Sequence, residues 1–224
     1  MQKDKDKGKK PKKYNYSLKK HNRLLKQDIV SNVEYKYYPY DPQQKYIIGS
    51  DGSITTQLGL VHNTKLDKDG YKHNNLILNA KSADLLTHRI VAHTFFDLPF
   101  DAPDVHVHHI QPKLKKTDLD ELIEAAKKDT VKAMQLDYYN HFADSVFNLI
   151  CAPEKKHDEI TSLYRVYGAH TFWEYLAISY YVTGQDFNYY PEGRFISQIN
   201  RDFLIDLIKQ MQRRSNATRF NQKS

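Results

Sequence analysis

Three histidines crowd into Val105-His106-Val107-His108-His109-Ile110-Gln111, and a fourth, His157, ends the stretch Asn148-Leu149-Ile150-Cys151-Ala152-Pro153-Glu154-Lys155-Lys156-His157. A neutral imidazole is a ligand for transition ions. With an unperturbed pKa of about 6.5 it can also take a proton from water near neutral pH. In the first stretch Val105, Val107 and Ile110 favour β structure and the valines alternate with His106 and His108, which predicts a short strand. The second reads as another short strand that turns into a helix at Ala152-Pro153, with proline suited to the first helical position. Histidines at the end of the first strand and inside the helix suit a small metal site. Successive side chains on a strand point to opposite faces, so one ion does not easily take both His108 and His109, and different roles for the two fit the geometry. His106 and His108 share a face, which keeps open an alternative site built from that pair. Against both stands the plainer reading, that a histidine in a strand is structural or exposed.

Several elements must hold these residues in place. Residues 46–86 are expected to be β-rich, with Tyr46–Ile48 and Ile54–Gln57 flanking a Ser50-Asp51-Gly52 turn and a second turn at Asp69-Gly70 leading into Tyr71–Leu78. Thr87 is placed to cap a helix from His88 to about Phe95. Between the two site strands, Leu119, Leu122, Ile123 and Ala126 fall at helical spacing after a Thr117/Asp120 pair that resembles a capping box. Val131, Met134, Tyr138, Phe142 and Val146 continue the stripe after a break near Asp129. A helical pair is expected here, packing on the C-terminal helices or shaping a substrate groove. Beyond His157 the helix is expected to continue through Tyr167. A second runs from about Thr171 to Val182 with Gly184 ending it, and a third from Arg194 to Gln212 carries Ile196, Ile199, Phe203, Leu207 and Met211 on one face.

The motifs together resemble the HNH endonucleases of phage and homing type. The matching pieces, in the family's order, are His88-Arg89-Ile90-Val91-Ala92, Val107-His108-His109-Ile110, Asn148-Leu149 and His157. Tyr46-Ile47-Ile48-Gly49-Ser50-Asp51-Gly52 and Gly70-Tyr71 look like that family's lead-in, and the resemblance covers roughly residues 46–157. Two features depart from it: Gln111 stands where an acidic residue is common, and the segment from Gln111 to Phe147 is far longer than the family's connection. The resemblance implies a ββα-metal core, and with the residue patterns above the fold expected is α+β, with a helical insertion (about 117–146) between the two core strands, a β-rich N-terminal part and a helical C-terminal part. With the ends read from their own residues, the chain divides into a basic tail and short helix (1–28), a β-rich part ending in the His88 helix (29–100), the nuclease core (101–165) and a C-terminal helical region (166–224); the resemblance itself says nothing about either end. It implies a metal-dependent endonuclease that hydrolyses DNA, RNA being open because the chemistry is shared. His109 would be the general base, His108 and His157 the ligands of one divalent ion (Mg, Mn, Ni or Zn), and Asn148 a structural amide that bonds backbone across the loop. Two imidazoles without an acidic partner lean towards a transition ion. Arg89, Lys113, Lys155 and Lys156 are the candidate phosphate contacts. A homing or phage-genome role follows from the same likeness.

Composition agrees with a polyanionic partner without demanding one. The 34 basic against 27 acidic residues give a net charge of +7. With 40% hydrophobic residues and 17 tyrosines the chain can bury a core. The single Cys151 cannot form an internal disulfide. No apolar run approaches the roughly 18 residues of a membrane span, and the N-terminus lacks the apolar core of a signal peptide, so a cytosolic protein, in a bacterial host and phage-encoded on the family likeness, is expected. Residues 1–13 hold seven lysines and are expected to form a mobile tail. Tyr35-Lys36-Tyr37-Tyr38-Pro39-Tyr40 interleaves aromatics with a base, as a nucleobase-stacking surface does, or as tyrosine-rich strands packing on a small core do. His21, His62, His73, His93, His141 and His170 are assigned no role. Two other functions fit the sequence: a DNA-binding protein that keeps the fold without cleaving, and a phage regulatory protein that binds a protein partner through its C-terminal helices.

Overall fold

The structure, a computed structural model, describes residues 33–59, 64–184 and 201–221. The lysine-rich tail and basic stretch of residues 1–28, His21, His62 and the beginning of the expected last helix lie outside them. The fold is α+β, with three small antiparallel sheets and six α-helices among the described residues. None of these helices is long and apolar enough to cross a membrane.

Strands β1 (Tyr35–Tyr37), β2 (Tyr46–Gly49) and β3 (Ile54–Thr56) form the first sheet in that order. Strand β1 is an exposed edge, with Tyr35 and Tyr37 outside and Tyr38 buried just beyond it. Strands β4 (Lys65–Leu66), β5 (Lys72–Leu78) and β6 (Lys81–Leu86) form the second. Along β5 buried Asn74, Leu76 and Leu78 alternate with exposed Asn75 and Ile77, the period-2 pattern of a sheet with one covered face. Helix α1 (Thr87–Phe95) follows without a loop. Thr87 is the first helical residue and does not cap it: its Oγ1 accepts from Asn74 Nδ2 at 2.8 Å, so the hydroxyl ties the helix start to β5 and no side chain caps it.

The third sheet carries the histidines. Strands β7 (Val105–His109) and β8 (Leu149–Pro153) pair antiparallel, with His108 opposite Ile150 and His109 opposite Leu149. Pro153 closes β8 with extended ψ of 151°, and α4 (Glu154–Tyr167) begins one residue later than the proline alone suggests. Between β7 and β8 the chain makes a helical hairpin, α2 (Lys116–Ala126) and α3 (Thr130–Phe142). Asp129 makes the break, its carboxylate accepting from the amides of Val131 and Lys132 to cap α3. Thr117 does not cap α2, which starts at Lys116. The apolar stripe is only partly used: Leu119 and Phe142 are buried, but Val131 and Met134 are exposed. The hairpin packs chiefly on itself, with Phe142 meeting Phe172 edge-on at 5.3 Å.

Two C-terminal helices complete the core. Helix α5 (Phe172–Thr183) is framed by a Thr171/Glu174 capping box and by Gly184 in the left-handed conformation. Helix α6 (Arg201–Asn221) lays Leu204, Leu207, Ile208 and Met211 against it. Two glycines allow the close approaches that seat the site. Gly70 has φ +85°, and a Cβ there would lie 2.0 Å from the Leu114 carbonyl oxygen. Gly52, also at φ +85°, lies against the Asp144 backbone.

Candidate functional site

The alternation of β7 sends its histidines to different neighbours. His109 faces α1 and the strand sheet, where its ring meets His88 edge-on at 4.9 Å and Tyr71 at 5.7 Å. His108 faces α4, its ring edge-on to His157 at 5.0 Å, while the His106 ring stacks on His157 at 4.9 Å. At the end of β7 both sides reach one cleft of about 520 Å³, lined by His108, His109, His157, Lys113, Lys115 and Tyr164, among others.

His109 is anchored. Its Nε2 bonds Asp144 Oδ1 at 3.1 Å, and Asp144 is wholly buried just before β8. The same carboxylate accepts from Lys113 Nζ at 3.1 and 3.0 Å, and Lys72 Nζ stands 3.8 Å away. Burial alone would raise the Asp144 carboxyl. The His109 hydrogen bond and the charges of Lys113 and Lys72 outweigh it and hold the group well below the usual carboxylate range. Burial pushes His109 down, against the pull of Asp144 and with help from Lys113, so its ring is neutral at pH 7. With Nε2–H donating to the carboxylate, Nδ1 carries the lone pair and is the nitrogen left for the cleft.

His108 is neutral as well, driven to about 3 by burial and then by its histidine neighbours. Its Nε2 lies 3.0 Å from the Tyr164 hydroxyl, which donates to the Ile110 carbonyl at 2.8 Å. With that proton committed, His108 donates through Nε2 and keeps the lone pair on Nδ1. A ligating imidazole is usually held in this way by a partner on its second nitrogen. His157 Nδ1 lies 3.4 Å from Asp158, leaving Nε2.

Asn148 lies outside the cleft and organises the chain beneath it. Its Oδ1 accepts from Gln111 N at 2.7 Å, and its Nδ2 donates to Gln111 O at 3.1 Å and Ala143 O at 3.0 Å. The residue is buried and the bonds bridge both ends of the insertion. Asn148→Ala strands the Gln111 amide and two carbonyls, and a loss on the order of 3 kcal/mol is expected in urea unfolding. An unchanged midpoint would show that these bonds are replaced.

The other candidates divide. Lys113 lines the cleft, but its amine is buried against Asp144 and over the Tyr71 ring. Arg89 Nη1 donates to the Val105 carbonyl at 3.4 Å and belongs to the base of β7. Lys155 and Lys156 are exposed on the first turn of α4, Lys156 lying 3.6 Å from Glu159. Among the histidines assigned no role, His93 bonds the Tyr38 hydroxyl at 2.8 Å and His141 bonds Asp51 at 2.9 Å.

Sequence reasoning missed Asp144 and gave no site role to His88. The possible ligand atoms of His88, His109 and Asp144 all lie within 4.8 Å of one another. Two ammonium groups already face Asp144, so a cation there would meet their repulsion. The trio is better read as packing around His109, with His88 held near 3 by burial and by His109. The His108–His157 pair, edge-on to each other and lining the cleft, is the better donor set for a metal ion.

No family model matches the sequence, and no curated protein matches it. Among solved structures the chain is similar to one described as "DNA binding and cleavage by the HNH homing endonuclease I-HmuI", at 16% identity and a TM-score of 0.29, over 61% of this chain and 84% of that one.

Proposed function

We propose that the protein is a metal-dependent endonuclease that hydrolyses DNA phosphodiesters, with β7, β8 and α4 as a ββα-metal core of HNH type. The observation that carries this reading is the cleft, where an imidazole base anchored by a buried carboxylate stands beside two facing imidazoles. His109 Nδ1 takes the proton of a water as its oxygen bonds to phosphorus, and the P–O bond to the leaving sugar oxygen breaks, that oxygen taking a proton from solvent. Asp144 stabilises the imidazolium and keeps Nδ1 directed at the water. The net charge of +7 and the exposed Lys115 at the cleft favour a polyanion.

The donor set of His108 and His157 fits zinc, nickel or manganese better than an all-oxygen cage ion. A divalent ion held there supplies neutralisation of charge on the phosphate and leaving oxygen.

Plasmid cleavage with Mg²⁺, Mn²⁺, Ni²⁺ or Zn²⁺ tests the reading. Nicked or linear product is expected with at least one metal and none in EDTA. His157→Ala is expected to raise the metal concentration for half-maximal cutting by roughly 10-fold or more. DNA binding without product under any metal, on a library covering many target sequences, would favour the non-cleaving DNA-binding protein instead.

A further inference from the structure

A second cavity, of about 250 Å³, lies on the helical-hairpin side of the segment that follows β7. Pro112 and Lys113 line both it and the cleft, so occupants of the two would be neighbours. Its far wall is α3, where the Tyr138 and Phe142 rings stack on each other at 5.3 Å and 13° and both reach the lining, and Leu122 of α2 contributes an apolar side. Gln111 and Gln135 reach its lining, and neither side-chain amide is engaged with a described residue. Each amide offers both a donor and an acceptor.

This chemistry selects a ligand class. The one cation in the lining, Lys113, is committed to Asp144, so the pocket has no charge left over for a phosphate. The volume falls below the roughly 300 Å³ at which drug-sized sites begin, so a single flat ring system fits and a base pair does not. An aromatic wall with unengaged amides suits a ring that is apolar on its faces and polar at its edge. We propose that this pocket takes one nucleobase, turned out of the stack, from the nucleotide next to the phosphate held in the cleft. Aromatic stacking and edge hydrogen bonds are how proteins hold an extruded base. The helical insertion thereby forms the wall against which the base rests.

The strand's position rests on the nuclease reading, while the ligand class does not. The test therefore has two arms on the full chain. In the first, the four free deoxynucleosides are titrated against the protein and followed by saturation-transfer NMR. Gln135→Trp, at an exposed helical position, is the variant that fills the mouth, and Tyr138→Leu removes the ring but keeps apolar volume; thermal melts confirm that both fold. At least one nucleoside is expected to bind, and both variants are expected to weaken it roughly 10-fold or more. In the second arm, a duplex with an abasic position beside the cut is expected to be cleaved roughly 10-fold more slowly than the intact duplex. If no nucleoside binds, or if Gln135→Trp binds as the wild type does, the pocket assignment is overturned even where DNA is cut. If nucleosides bind in the pocket but no metal supports cleavage, the assignment stands and the nuclease reading falls.

Discussion

His109→Gln is expected to lower the rate of plasmid cleavage about 10³-fold, within the range that a positioned general base contributes. Glutamine can keep a hydrogen bond to Asp144 in the polar slot but offers no basic lone pair to water. The melting temperature should therefore move far less than the rate. The pH profile makes the stronger test. A general base acts when neutral, and burial lowers the His109 pKa below its usual value of about 6.5. The wild-type rate should hold its plateau as the pH falls through 6.5 and decline only at lower pH, where the ring protonates. A decline centred at or above 6.5 would contradict the burial of His109. Cleavage by His109→Gln at the wild-type rate would remove His109 from the chemistry altogether.

The largest effect on stability is expected at Asp144. Its carboxylate is wholly buried and is shared by His109 and by Lys113, whose side chain is only 3% exposed. Asp144→Leu leaves the Lys113 ammonium enclosed without a counter-charge, for which breaking a buried ion pair costs about 3–5 kcal/mol. For a chain of this size that is a fall in melting temperature of roughly 6–20 °C. Removing both partners should be gentler, so Asp144→Leu combined with Lys113→Met is expected to recover more than half of the loss. A double variant as unstable as the sum of the two singles would show that the carboxylate and ammonium do not depend on each other. The pair also has a sign with pH. The Asp144 pKa lies below its unfolded value of about 4, so its contribution is complete above that value and is lost as the pH falls further. Asp144→Asn separates positioning from stability. Its amide nitrogen or oxygen can meet the His109 ring in either tautomer, so the rate should fall and the low-pH limb should move, a shift that a purely structural carboxylate would not produce.

Much of this architecture was legible in the chain because it rests on local rules. Alternation separates His108 from His109 on β7, and a side-chain period of two requires that wherever the strand lies. Gly184 marks the end of α5 through contacts spanning a few residues, and the helix begins beside Thr171 as its pattern suggests. Asp129 marks the break between the helices of the insertion for the same reason. Local pattern was a poorer guide to what each face touches. Val131 and Met134 follow a helical stripe yet are exposed, and Thr87 spends its hydroxyl on β5 in place of a cap.

The environment of the base was decided by tertiary structure. Asp144 is 35 residues from His109 in sequence, in a segment whose spacing carries no motif, and only the return of the chain through the helical hairpin brings the two together. Lys113 reads as a candidate phosphate contact, but folding buries it over Tyr71 and against Asp144. His88 looks like part of a helical motif until α1 packs on β7 and places its ring against His109. Sequence alone determined which faces of β7 carry the histidines, because backbone geometry sets that residue by residue. Which charges meet those faces was left to the packing of distant segments, because a buried charge is tolerated only beside a partner that the fold delivers.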